Sequence, residues 1–215
     1  MNWRLVVAFA ITLSLALTFV PAFSASSGPS PTAPVITVNH FYVVTAYGYG
    51  LVNDSFTFKN NATSDVQIPA IQIGLPSKIA SRTTGIVLSP SDQYTVSQAQ
   101  VNGSTVLTLT PNQPTLQPGA SSTVAMKTVL TNILNFSGGA YTNAAKALVL
   151  LSPSLNTNVT LLKTSIILPT GGSISQTPSG FSQPTTNATS PTYTMTQFNI
   201  QPQASARDLN FTESN

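Results

Sequence analysis

The sequence predicts an all-β protein, built as an antiparallel β-sandwich. Apolar and polar residues alternate along many segments, as they do in strands that bury one face. Turn-forming residues separate these segments at intervals of about ten residues, which is typical of sandwich strands. Apolar residues make up 41% of the 215-residue chain and can fill a core, whereas only 6% of the residues are charged.

Residues 1–24 have the features of a secretory signal peptide. Arg4 precedes an apolar stretch, Leu5–Val20, and the small residues Ala22 and Ser24 follow at the positions that a signal peptidase requires. An uncleaved anchor is the alternative, but the stretch is shorter than the ~20 residues that span a bilayer comfortably. We therefore expect an extracytoplasmic protein that is secreted or held at the cell surface.

The mature chain is expected to start with an extended Ser/Pro linker over residues 25–34. The chain contains no cysteine, so it cannot be stabilised by disulfides after export, which favours an archaeal or bacterial envelope over a eukaryotic secretory route. The formal net charge of +3 is spread without a basic run, which argues against nucleic acid as a partner.

A first β-sandwich domain is predicted over residues 35–134. It opens with a hairpin, because "VITVNHFYVVT" and "LVNDSFTFKNN" both alternate and the glycine-bearing "AYGYG" lies between them. One face of the first strand carries Ile36, Val38, His40, Tyr42 and Val44, and the matching face of the second carries Val52, Phe56 and Phe58.

Two turns define the rest of this domain. Asn102-Gly103 separates two alternating runs in "TVSQAQVNGSTVLTLTP" and supplies the two positive-φ residues of a type I′ hairpin. The Pro-Gly turn of "LQPGASSTVAMKTVL" leads into another alternating strand.

A second β domain is predicted over residues 135–215. Its strands are "KALVLLSP", "VTLLKTSIILP" and "TYTMTQFNIQP", and a long polar loop covers residues 171–192. The segment "TNAAKALVLL" can also be interpreted as a short helix, because Ala, Lys and Leu favour that structure. We prefer a strand because the segment is short and lies among other strands.

The sequence offers little catalytic chemistry. The single histidine, His40, lies on an apolar strand face and has no identifiable acid partner, so His40→Gln is expected to lower stability by roughly 1 kcal/mol. The carboxylates are scattered, and two of them fall in what is predicted to be a frayed C-terminus: Asp54, Asp65, Asp92, Asp208 and Glu213. We predict no enzymatic activity, no catalytic residues, no cofactor and no metal site.

Aromatic residues near the first hairpin allow one further interpretation. Tyr42, Tyr47 and Tyr49 can stack on a sugar, although packing is the commoner role of aromatics beside a turn. Because acids are so few, we also expect the melting temperature to change little between neutral pH and about pH 3.

Asn-X-Ser/Thr sequons recur along the chain and predict covalent N-glycans, which would help to keep a weakly charged surface soluble. The acceptor asparagines are Asn53, Asn61, Asn102, Asn135, Asn158, Asn187 and Asn210. Asn61 and Asn102 are the strongest candidates because they lie beside a strand end and in a hairpin turn.

The order of these features resembles the luminal β-region of the ribophorin I family. The resemblance runs from "VITVNHFYVVTAYGYGLVNDSFTFKNN" through "STVLTLTPNQPTLQPGASSTVAMKTVLTNIL" and "KALVLLSPSLNTNVTLLKTSIILP" to "SPTYTMTQFNIQPQASARDLNF". It implies a non-catalytic, extracytoplasmic subunit beside a membrane oligosaccharyltransferase, whose catalytic partner carries the metal site. The family's further luminal region and membrane anchor have no counterpart in this sequence.

Two functions follow as hypotheses. The first is a non-enzymatic, glycosylated cell-surface protein with a structural or binding role among envelope proteins, including assistance to N-glycosylation. The second is a filament or surface-layer subunit that assembles with copies of itself. In that case residues 26–45 would complete the sheet of a neighbouring copy by strand addition.

Overall fold

The computed structural model describes residues 33–136, 144–184 and 190–213. In these ranges the chain is almost entirely β-structure, with one short helix, α1 (Ser77–Ala80). The strands in chain order are β1 (Val35–Val44), β2 (Gly50–Lys59), β3 (Val66–Gln67), β4 (Ile71–Leu75), β5 (Thr83–Ser89), β6 (Tyr94–Val101), β7 (Ser104–Pro111), β8 (Thr115–Leu116), β9 (Ser121–Leu130), β10 (Leu134–Phe136), β11 (Ala144–Ser152), β12 (Ser154–Leu155), β13 (Val159–Ile167), β14 (Gly172–Ile174), β15 (Thr192–Ile200) and β16 (Ser205–Glu213).

A six-stranded sheet with the order β15-β13-β1-β2-β9-β5 forms one layer. Its strand pairs are antiparallel except for β1 and β13, which run parallel. β1 and β2 form the predicted hairpin, and their side chains alternate between buried and more exposed positions. This alternation follows the sequence pattern and directs one face of the sheet into the core.

The second layer consists of two four-stranded sheets, β12-β4-β7-β6 and β10-β11-β16-β14. The chain passes from one to the other at Pro153, which separates β11 from β12. A proline has no backbone N–H to donate, so a break between the two ladders is expected there. Side chains from the six-stranded sheet and from both sheets of this layer form one apolar core cluster.

The two sequence predictions about local structure at residues 94–111 and 144–152 are confirmed. β6 and β7 form a hairpin whose turn residues, Asn102 and Gly103, have φ values of 49° and 76°. The segment that could have been a helix is strand β11, and Ala145 and residues 147–152 on it are buried. An interior strand covered on both faces needs continuous apolar residues, which explains why its pattern resembled a helix.

The predicted division into two consecutive β units is corrected by the sheet topology. The six-stranded sheet takes β1, β2, β5 and β9 from residues 35–134 and β13 and β15 from residues 135–215. The described strands all belong to one compact unit. The strand periodicity specifies which face is buried but not which distant strand becomes the neighbour, so a boundary at residue 134 could not be tested from sequence.

The structure corrects two smaller predictions, and a third falls outside the described residues. The polar loop at 171–192 contains β14, which pairs with β16 and buries Ile174. Asp208 does not lie in a frayed end, because β16 pairs with β11 over nearly its whole length. The predicted signal peptide and most of the linker lie outside the described residues.

Candidate functional site

The only histidine and one of the five acids form a buried pair in the core. His40 of β1 lies directly opposite Asp54 of β2, and both side chains point into the sandwich. The His40 Nδ1 and Asp54 Oδ1 atoms are 2.5 Å apart, and both residues have 0% of their surface exposed. The absence of an acid partner, expected from the sequence, is therefore wrong.

The pair also connects the two layers of the sandwich. His40 Nε2 donates a hydrogen bond of 2.8 Å to the carbonyl oxygen of Leu150 on β11. Two residues further along β1, the Tyr42 hydroxyl donates a bond of 2.7 Å to the carbonyl oxygen of Leu148. Both acceptors belong to the central part of β11, so polar side chains of one layer bind the backbone of the other.

The charge state of His40 follows from its two acceptors. Burial disfavours the charged ring, but the Asp54 carboxylate, its hydrogen bond to Nδ1 and the Leu150 carbonyl outweigh that effect and raise the pKa of His40. When Asp54 is ionised, both ring nitrogens must carry a proton, since each faces an acceptor. Burial raises the pKa of the Tyr42 hydroxyl and outweighs the Arg82 charge, which acts in the opposite direction.

This arrangement differs from a catalytic His-acid pair in two ways. In a hydrolytic triad the second imidazole nitrogen faces a nucleophilic hydroxyl, whereas here it is bound to a main-chain carbonyl. The pair is also sealed from solvent, so a substrate has no access to it. The hydroxyl of Thr164, the neighbour of His40 in β13, is buried without a hydrogen-bond partner among the described residues, as is Asp54 Oδ2.

Sequence reasoning missed this pair although a signal for it was present. A hairpin places residues equidistant from its turn opposite each other, and His40 and Asp54 each lie seven residues from Tyr47. The alternation also places Asp54 on the same face as Val52 and Phe56. The acceptor at Leu150 lies 110 residues from His40 in the chain and had no local signal.

The other described acids and the predicted tyrosine group are dispersed. Asp65, Asp92 and Asp208 are exposed and separate from the buried pair. Tyr42 is fully buried, which separates it from Tyr47 and Tyr49 in the hairpin loop. No group of three or more His, Cys, Asp or Glu side chains within the described residues is placed to hold a metal ion.

Most of the sequon asparagines occupy exposed positions in the structure. Five are exposed, on loops or strands: Asn61, Asn102, Asn135, Asn158 and Asn210. Asn53 is half-buried in the middle of β2, and its Oδ1 atom is enclosed without a hydrogen-bond partner in the described part of the chain. Asn187 lies outside the described residues.

In the described ranges of the chain, no helix has both the length and the apolar character needed to cross a bilayer.

Comparison with known proteins gives structural likenesses only. No protein-family model matches the sequence, and no curated protein matches it either. The fold is similar to a candidate nutrient-binding protein from Legionella pneumophila, with a TM-score of 0.47, 12% identity and coverage of 85% of this chain and 68% of that chain.

The fold also resembles part of a larger enzyme. An M1 zinc metallopeptidase from Deinococcus radiodurans aligns with a TM-score of 0.36 and 13% identity over 84% of this chain, which spans 41% of the enzyme's chain. A mutant of an M1 zinc metallopeptidase from the same organism, bound to a Tyr-Ser-Ala substrate, gives a TM-score of 0.37 and 12% identity, with 84% of this chain and 42% of that chain covered.

Proposed function

We propose that this protein is a non-enzymatic, exported and N-glycosylated cell-surface β-sandwich with a structural or binding role. We further propose that it assists N-glycosylation, the role implied by its resemblance to the ribophorin I family. The observation that carries the non-enzymatic part of the first proposal is the position of His40. The one side chain that could act as a base near neutral pH is sealed in the core and hydrogen-bonded through both ring nitrogens.

Two further features support a glycosylated surface protein. Five of the seven sequon asparagines are exposed, so their amides are open to modification. The largely uncharged chain needs another source of solubility, and glycans supply one.

The filament alternative gains no support from the position of β1. Strand addition to a neighbour would require this strand to leave its own sheet. In the structure β1 pairs along its full length with β2 across a five-residue loop, Thr45–Tyr49, and also pairs with β13 on its other side. Its inward face carries His40, which holds the two layers together.

A membrane pull-down of the tagged mature protein, with partners identified by mass, tests the proposal. We expect envelope proteins, including a multi-spanning oligosaccharyltransferase, to copurify, and we expect glycan occupancy of other exported proteins to fall when the gene is deleted. A matched control is the same tagged chain with all seven sequon asparagines replaced by glutamine, which separates binding through the protein from binding through its glycans.

Two results would contradict the proposal. Fibres composed of this chain alone, without envelope partners, would favour the filament subunit. A measured turnover that disappears in a folded His40→Gln variant would contradict the absence of enzymatic activity.

A further inference from the structure

Three cations surround one cavity in a protein that has very few charges. The cavity has a volume of about 530 Å³, and its polar lining consists of Lys78, Arg82, Lys146, Asn132, Asn135 and Asp208. We call it the basic cavity. Three cations against one carboxylate give its wall a formal charge of +2, compared with +3 for the whole chain.

The cations of the basic cavity are not neutralised by the protein. Within the described residues, none of the three forms an ion pair with a carboxylate, Asp208 included. Lys78 and Lys146 are exposed, whereas Arg82 is half-buried. A guanidinium that forms no ion pair with a carboxylate and lies beside ammonium groups is the donor set that proteins use to bind phosphate.

The backbone between β9 and β10 fixes the floor of this cavity. Arg82 donates from Nη1 to the carbonyl oxygen of Asn132, and its own carbonyl oxygen accepts bonds from the backbone N–H and the hydroxyl of Thr131. The backbone N–H of Ile133 donates a 3.1 Å hydrogen bond to the Gly48 carbonyl oxygen, and the Ile133 carbonyl oxygen accepts a 2.8 Å bond from the N–H of Leu148. The cavity is therefore preorganised, which reduces the entropy lost when a ligand binds.

A second, aromatic cavity adjoins the first. It has a volume of about 250 Å³, is lined by Tyr47 and Tyr49, and shares Asn132 and Leu134 with the basic cavity. Tyr47 is 87% exposed and Tyr49 is 47% exposed, so their ring faces are available to a ligand. The hairpin loop that carries them is closed by hydrogen bonds between Thr45 and Tyr49.

We propose that the two cavities together bind a phosphorylated sugar. The phosphate group lies among Lys78, Arg82 and Lys146, where the positive wall and the guanidinium N–H groups that do not bind Asn132 recognise it. The sugar ring lies against Tyr47 and Tyr49, whose rings offer an apolar face with a polar edge. The combined size is within the range of small-molecule sites, about 300–1,000 Å³.

The test is a titration of the mature protein, produced without N-glycans so that Asn135 is bare, with glucose 6-phosphate, inorganic phosphate and glucose. Isothermal calorimetry at constant ionic strength gives the three affinities. We expect glucose 6-phosphate to bind more tightly than either inorganic phosphate or glucose. Equal affinities for glucose 6-phosphate and inorganic phosphate would overturn the sugar part of the proposal, and no detectable binding of glucose 6-phosphate would overturn all of it.

Lysine variants locate the phosphate. The Lys78→Gln/Lys146→Gln protein is expected to bind both phosphate-bearing ligands about tenfold more weakly, since each exposed charge contributes up to about fivefold. The matched control is Lys127→Gln/Lys163→Gln, which removes two exposed lysines from the outer face of the six-stranded sheet and should change nothing. Asp208→Asn should tighten binding about threefold. Equal losses in the two lysine variants would overturn the proposal.

An aromatic variant locates the sugar. Tyr47→Ala is expected to weaken glucose 6-phosphate binding several-fold and to leave inorganic phosphate binding unchanged. Phe198→Ala is the control, because Phe198 is 66% exposed on β15 and lines neither cavity. A Tyr47→Ala protein that binds glucose 6-phosphate as tightly as the wild type would contradict the assigned ring position.

Discussion

Replacing His40 with leucine is expected to destabilise the protein by about 3–5 kcal/mol, the cost of removing one partner from a buried charge pair. The change leaves Asp54 with no exposed surface and no cation beside it, and Leu150 loses the hydrogen-bond donor to its carbonyl oxygen. The roughly 1 kcal/mol expected from sequence for His40→Gln is the typical effect of a single substitution and did not take this pair into account.

The double variant His40→Leu/Asp54→Leu separates the charge from the packing. Two apolar side chains of similar volume often replace a buried pair at little net cost, which leaves mainly the unpaired Leu150 oxygen, at about 1–3 kcal/mol. We therefore expect the double variant to be more stable than His40→Leu alone. Urea unfolding followed by far-UV circular dichroism measures this, because the only tryptophan, Trp3, lies in the predicted leader. Losses in the two single variants that add up in the double variant to within about 0.5 kcal/mol would refute the coupling.

The His40–Asp54 pair also predicts how the stability of the protein depends on pH, and a substitution of Asp54 should reverse the direction of that dependence. Because the pKa of His40 is raised in the folded protein, its contribution to stability is fully present below about pH 6.5 and is lost as pH rises through the raised value. Asp54→Asn removes the carboxylate but keeps burial and the weaker opposing effect of the Leu150 hydrogen bond. Burial then lowers the pKa of His40, so the free energy of unfolding should increase with pH through this region. Urea unfolding midpoints over a pH series measure this dependence for the wild type and for Asp54→Asn. If the two proteins showed the same pH dependence, the role assigned to Asp54 would be refuted. The flat profile between neutral pH and about pH 3 stays a prediction.

Three further predictions concern the turn, the glycans and the leader. In a thermal melt, Gly103→Ala should destabilise the protein by about 1 kcal/mol, because residue 103 has a φ of 76°, which is unfavourable for alanine. Gly85→Ala should be nearly neutral, because residue 85 has no positive φ and, as at Gly103, no atom lies near the added Cβ. Glycopeptide mass spectrometry of native material should find Asn102 occupied and Asn53 bare, and the reverse pattern would contradict the role of exposure. N-terminal sequencing of exported protein should begin at or near Ala25, and a start at Met1 would defeat the predicted cleavage.

Local features of the fold were predictable from the sequence, because strands and tight turns depend on neighbouring residues. The Asn102-Gly103 turn and the first hairpin are of this kind, and each pairs strands that are adjacent in the chain. The parallel pairing of β1 with β13 brings Thr37 opposite Leu161, and no periodicity encodes that choice. Such contacts depend on how the whole core packs, which explains the error about two domains.

The same distinction between local and long-range contacts applies to the candidate functional site and to the basic cavity. The pairing of His40 with Asp54 is local and follows from the hairpin register, so it was available to sequence reasoning. The basic cavity draws Lys78, Asn132 and Lys146 from three separate segments, and its concentration of charge appears only after folding. A chain with scattered cations in sequence can therefore carry a compact positive site.

The position of these polar groups explains why a chain so poor in charge buries a histidine and an aspartate. Apolar contacts between layers are non-directional and tolerate sliding, whereas a hydrogen bond requires a particular partner at a particular distance. His40 and Tyr42 are two residues apart on β1, and their acceptors, Leu150 and Leu148, are two residues apart on β11 in the opposite direction. A shift of one layer that moves these side chains away from carbonyl oxygens of β11 would leave buried donors unpaired, which is costly. In a sandwich without disulfides, the two bonds therefore specify how one layer is aligned on the other.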